Sequence, residues 1–125
     1  MIAENIQNIE ENLKKTCIRA GRNPEEVQLI AVSKTFGAEK IREAFETGTF
    51  DFGENYVQEL TEKHQSLLDK NIHWHFIGHL QSNKVKYIAD WIHLIHSVDS
   101  EGLAAEIHKR AEKSNRTIDI LIEVN

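Results

Sequence analysis

Apolar positions along the chain switch between two periods. Ile2, Ile6, Ile9, Leu13 and Cys17 recur at spacings of three and four, which puts them on one face of a helix. Gly21 stops that helix, and Asn23-Pro24 opens a turn. A first strand is predicted over about Val27 to Ser33. Ile41, Ala44 and Phe45 then mark a short helix that ends at Gly48. "FDFGEN" (Phe50 to Asn55) reads as a second strand, and Val57, Leu60, His64 and Leu67 as the stripe of the next helix. "IHWHFIG" (Ile72 to Gly78) is a third strand, followed by a short helix from about Asn83 to Asp90. "IHLIHSVD" (Ile92 to Asp99) is a fourth. Ser100 is placed to cap a helix with Leu103, Ile107 and Ala111 on its apolar face. "TIDILIEVN" (Thr117 to Asn125) is a fifth strand.

One leading helix and five strands separated by helices imply parallel neighbours and an α/β fold. Two architectures share that rhythm. One is a five-stranded doubly wound sheet. The other is a (β/α)8 barrel of the TIM type with about five of its eight strands present, since whole barrels need about 250 residues. No helix follows the last strand, so the barrel reading takes the chain as truncated after strand 5.

Composition narrows the class. A chain of 125 residues, 40% hydrophobic and 28% charged, is expected to form a single soluble domain over residues 1–125. No apolar run reaches the length of a membrane span. The acidic amphipathic start "MIAENIQNIEENLKK" is unlike a targeting peptide, and Cys17 is the only cysteine. A cytoplasmic location is therefore expected. The net charge of -5 comes without a basic block, which argues against a nucleic-acid partner.

In either architecture the chemistry belongs at the carboxyl ends of the strands. Strand 1 ends on Ser33-Lys34-Thr35, strand 2 on Gly53-Glu54-Asn55, and strand 3 on Gly78-His79. Alternation gives Phe50, Phe52, Trp74 and Phe76 to a helix-covered face, and Asp51, Gly53, Asn55, His73, His75 and Ile77 to the opposite one. That second face is polar enough to line a ligand pocket or to form a satisfied polar layer. Lys34 shares a face with Ile30 and Val32. Desolvation against them would lower its pKa and free a nucleophilic amine, and the alternative is a lysine that reaches out to water. Asn55 can cap the helix that follows it. His79, Gln81, Asn83 and Lys84 can face a ligand, and Asn83 can equally be an N-cap. His73 and His75 stand at a spacing able to hold a metal, but no third ligand is evident and no metal site is assigned. GxGxxG, Walker and GxSxG motifs are absent.

Five blocks then carry a resemblance: "LIAVSKT", "FGENYVQE", "WHFIGHLQSNK", "IHSVD" and "LIEVN". Their order and spacing resemble the pyridoxal phosphate homeostasis proteins, the YggS/PROSC family. The resemblance implies a barrel like the alanine racemase N-terminal domain. It implies pyridoxal 5'-phosphate held as a Schiff base on Lys34, with Asn55 and His75 bordering the cofactor ring. It implies a role in vitamin B6 and amino-acid balance without established catalysis. A racemase-like enzyme using the same cofactor and a non-covalent doubly wound binding module are the alternatives. Members of the family run about another hundred residues, to the length of a whole barrel. The open edges "LIAVS" and "ILIEV" of an incomplete barrel are expected to promote self-association.

Overall fold

Five short strands lie side by side in the order in which the chain makes them, and every pair is parallel. The computed structural model describes residues 1–125. The strands are β1 (Ala31–Val32), β2 (Asp51–Glu54), β3 (His73–Phe76), β4 (Leu94–Val98) and β5 (Asp119–Ile122). Four helices accompany them: α1 (Ile2–Arg19), α2 (Ala38–Phe45), α3 (Val57–Ser66) and α4 (Glu101–Lys113). A sheet that adds each new strand on the same side winds like a barrel. A doubly wound sheet reverses its order at a switch point, and no reversal occurs here. The fold is the α/β barrel type, with five parallel strands in one sheet.

The core lies between the sheet and its helices. Phe52, Trp74, Phe76 and Ile95 point from the strands into it, and Ile41, Leu60, Ile88, Ile92, Leu103 and Ile107 meet them from the helical side. Fully burying a side chain of this size contributes about 1.5–3 kcal/mol. The expected alternation therefore holds for Phe52, Trp74 and Phe76, whereas Phe50, which precedes β2, is 47% exposed instead of buried under a helix. The cap on α4 also forms, with Ser100 Oγ accepting from Leu103 N–H at 3.1 Å.

Other expectations are corrected. β1 shrinks from the expected Val27–Ser33 to two residues, because it is an edge that pairs with β2 alone and a turn begins at Ser33. The helix expected from Asn83 to Asp90 is a 3-10 helix over Ser82–Tyr87. Arg116 ties off the chain after it, donating to the carbonyls of Ala89 and Ile92. In α1, Ile9 is 50% exposed while Cys17 is buried. The two lie at opposite rims of the apolar stripe, about 80° apart around the helix, and only the Cys17 rim faces the protein. No helix is long and apolar enough to cross a membrane.

Two glycines should respond to alanine in opposite ways. A Cβ on Gly78 would sit within 2.9 Å of the Asn55 backbone, whereas one on Gly102, in α4, would meet nothing within 4 Å. Gly78→Ala is expected to destabilise by about 1–3 kcal/mol through overpacking. Gly102→Ala is expected to stabilise by about 0.5–1 kcal/mol by removing a helix glycine. Urea unfolding followed by fluorescence of Trp74 and Trp91 measures both.

Candidate functional site

β1 ends in a tight turn. Phe36 N–H donates to the Ser33 carbonyl at 3.1 Å, and Thr35 takes a left-handed φ of 68°. Such a backbone is uncommon for a β-branched residue and costs on the order of 1–3 kcal/mol. Lys34 stands at the corner of this turn and is exposed. The shielding expected from Ile30 and Val32 is not found there, because Val32 is itself 47% exposed and cannot keep water from a neighbour.

The turn is held by a second lysine, one the strand pattern did not single out. Lys63 of α3 is buried, and its Nζ donates to the Ser33 carbonyl at 2.6 Å, to Glu54 Oε2 at 2.8 Å and to Glu59 Oε1 at 2.7 Å. All three ammonium protons are thereby used. Ser33 Oγ donates to the same Glu54 oxygen. Thr35 N–H donates to Glu59 Oε1 at 2.7 Å. The residues on both sides of Lys34 are thus anchored to one buried cation. Burial pushes the Glu54 carboxyl above its ordinary pKa, against the opposing pull of Lys63 and Ser33. Glu59 is held below its ordinary value by the bonds from Lys63 and the Thr35 amide. A signal for Lys63 was present: it falls three residues after Leu60 and four before Leu67, on the flank of the apolar stripe.

Asn55 follows β2 and is half-buried. It lines an open cavity of about 1170 Å³ together with Glu59, Ile77, His79, Gln81 and Lys84. Glu59 joins this cavity to the turn, since it also receives the Thr35 amide. Asn55 does not cap α3. Tyr56 is the extended residue before the helix, with φ -126° and ψ 133°, so Asn55 stands one residue too early. Asn83 is neither a cap nor part of the cavity wall, because its 3-10 helix starts after Gln81.

His75 lies deeper. It pairs with Gly53 and Leu94 and is fully buried. Its Nε2 donates to Asp51 Oδ1 at 2.9 Å, and its Nδ1 shares a hydrogen bond of 2.9 Å with His96 Nε2. His73 Nδ1 stands 3.3 Å from the same Asp51 oxygen. Lys34 and Asn55 lie two residues beyond the paired Val32 and Gly53, at the carboxyl edge of the sheet. The structure therefore brings Lys34 and Asn55 to one edge and sets His75 a layer below. Between them the side chains of Ile30 and Ile77 close over Gly53, whose absent Cβ would lie 3.1–3.4 Å from them.

A family model described as "Alanine racemase, N-terminal domain" matches residues 5–125. The chain belongs to that family. A pyridoxal phosphate homeostasis protein of Aquifex aeolicus is 48% identical over 122 residues, covering 98% of this chain and 54% of the relative. Its namesake in Pseudomonas aeruginosa is 40% identical over 124 residues, covering 99% and 54%. Among solved structures, PipY of Synechococcus elongatus with PLP bound superimposes with a TM-score of 0.85 at 37% identity. That match covers all of this chain and 55% of PipY. A protein of unknown role from Bifidobacterium adolescentis gives a TM-score of 0.91 at 32% identity, covering 99% and 55%. The chain spans about half the length of the curated relatives it matches.

Removing Lys63 leaves Glu54 buried without its cation. Lys63→Met is expected to cost about 3–5 kcal/mol at neutral pH, as for other broken buried pairs. In that variant the folded state holds a proton on Glu54 that the unfolded state releases. Its stability should therefore fall as pH rises above the ordinary carboxyl range. Adding Glu54→Gln should recover part of the loss and flatten that dependence. Urea titrations across acid to neutral pH read both effects.

Proposed function

We propose that the chain is a pyridoxal 5'-phosphate-binding barrel segment, a single domain over residues 1–125, in which Lys34 is the residue that holds the cofactor. What carries this reading is the position of Lys34: a solvent-reachable amine at a strand's carboxyl end, on a turn anchored from both sides. The residues present suit the aldehyde end of the cofactor. When bound, pyridoxal phosphate supplies an aldehyde with which a lysine amine condenses, losing one water. The chain's own part is to present that amine and to wall the neighbouring space. Asn55 lies at the same edge and borders the ring in this reading, and His75 is the buried support beneath. His79, Gln81 and Lys84 add polar groups to the adjoining wall. In barrels the phosphate is usually gripped by the loops after strands 7 and 8, which lie beyond β5.

The role that goes with this is cofactor holding in vitamin B6 and amino-acid homeostasis, in the cytoplasm, without catalysis and without a nucleic-acid or membrane partner. The names of the relatives support homeostasis over an enzyme. One observation favours the racemase-like rival. Tyr56 and Tyr87, the only tyrosines, both line the cavity, where a phenol can act as acid or base.

Adding pyridoxal phosphate to the 125-residue chain is expected to raise an absorbance band at the edge of the visible. Borohydride should fix the label on Lys34, and Lys34→Ala should abolish both signals. Label elsewhere, or a band that survives Lys34→Ala, overturns the assignment. Exchange of the alanine α-hydrogen by the loaded protein would move the reading to the racemase-like enzyme.

Self-association belongs to the same proposal. β1 and β5 each pair with a single neighbour, and Leu121, Ile122 and Val124 near the β5 edge are 49%, 76% and 87% exposed. Sedimentation is expected to find the chain above monomer mass. A stable monomer at every concentration refutes this part.

A further inference from the structure

We propose that Asp51, His75 and His93 form a binding site for a zinc-class divalent cation at the amino-terminal edge of the sheet, opposite the Lys34 edge. Three elements deliver the ligands. Asp51 opens β2, His75 is the third residue of β3, and His93 immediately precedes β4. One ligand atom from each lies within 4.8 Å of the others. Ligands on one tetrahedral zinc, bonded at about 2.0–2.2 Å, stand roughly 3.3–3.5 Å apart. Asp51 Oδ1 and His75 Nε2 are already 2.9 Å apart. On a bound ion that pair opens by roughly half an ångström, and His93, which is exposed, turns in.

Ring orientation selects the ligands. A bound cation lies in the plane of each imidazole that holds it. The His75 and His93 planes cross at 62°, with centroids 5.2 Å apart, so one ion can lie in both. His73 stacks on His93 at 4.5 Å and 13°, and near-parallel planes cannot share an ion. His73 instead reaches the Asp51 carboxylate, and His96 faces the second nitrogen of His75. Metal-bound histidines usually have such an outer partner, which fixes their tautomer. A cation on His75 Nε2 displaces the proton there. His75 then carries its proton on Nδ1 and donates to His96 Nε2, whose own proton sits on Nδ1, so both rings remain neutral. Two imidazoles and one carboxylate suit zinc better than magnesium or calcium, and leave a fourth position for water.

This goes beyond the cofactor reading and shares only His75 with it. The test therefore works through His93, which is exposed and outside the core. Isothermal titration of the whole chain with zinc chloride at neutral pH is expected to show one ion per chain. His93→Ala and Asp51→Asn should each abolish that uptake. His96→Phe should weaken it about 10–100-fold, as loss of an outer partner does. His108→Ala removes an exposed histidine of α4 and should change nothing. Cobalt in place of zinc should give the visible bands of a four-coordinate site. No uptake by the folded chain, or uptake unchanged in folded His93→Ala, overturns the proposal. Failure of pyridoxal phosphate to bind Lys34 leaves this result unaffected.

Discussion

A single buried ammonium sets the geometry at the carboxyl edge of the sheet. Lys63 Nζ reaches the Ser33 carbonyl, Glu54 and Glu59 at once, and so binds the end of β1, the end of β2 and the first turns of α3 into one unit. Withdrawing such a charge from water is costly, and the cost is offset only when every donor is used. Here every donor is used, while Glu54 Oε1 is buried without a partner. That asymmetry agrees with burial pushing the Glu54 carboxyl up. The network is costly to assemble and more costly to leave half-made, which makes it rigid. Rigidity is what a left-handed Thr35 requires, because nothing in its own side chain favours that backbone.

The division between what was legible in the sequence and what was not follows from the range of the interactions involved. Periodicity is local, so it located α1, the α4 cap at Ser100 and the inward faces of β2 and β3. The same rule misplaced the rim of α1 at Ile9, because which side of an apolar stripe is covered depends on distant neighbours. The length of β1 was overstated for a similar reason. "LIAVS" has the character of a longer strand, but a ladder extends only where a partner continues it, and pairing stops after Val32 and Gly53.

The candidate site shows the same limit more sharply. Lys34 was legible because a cation ending an apolar run is an anomaly visible in one dimension. The shielding expected around it was not found, since exposure is a property of the whole surface. Lys63 was hidden in "TEKHQS", where a lysine four residues after a glutamate reads as a solvated pair. Its burial depends on Ser33 and Glu54, thirty and nine residues away. The histidine cluster was hidden for the same reason. Alternation put Asp51, His73 and His75 on one face, but His93 and His96 reach them only through the parallel pairing of β3 with β4.

Gly53 lies between these two chemistries on β2. On its strand it stands between Asp51 below and Asn55 above, and a Cβ there would lie 3.1–3.4 Å from Ile30 and Ile77, so that both would have to give way slightly. With no side chain at that position, the two half-buried isoleucines approach over the glycine. Above it lie Lys34, Asn55 and the open cavity. His75 stands level with Gly53 on the neighbouring strand, and His73 and the Asp51 carboxylate lie below. An apolar contact does not screen charge, so the separation of the two sets rests on distance and on the lack of a hydrogen-bonded path between them. Isoleucine offers no hydrogen-bonding group, and each set is tuned by its own neighbours: Glu59 by Lys63, and His96 by burial and His75. The glycine thus leaves room for the apolar contact that lies between the two sets.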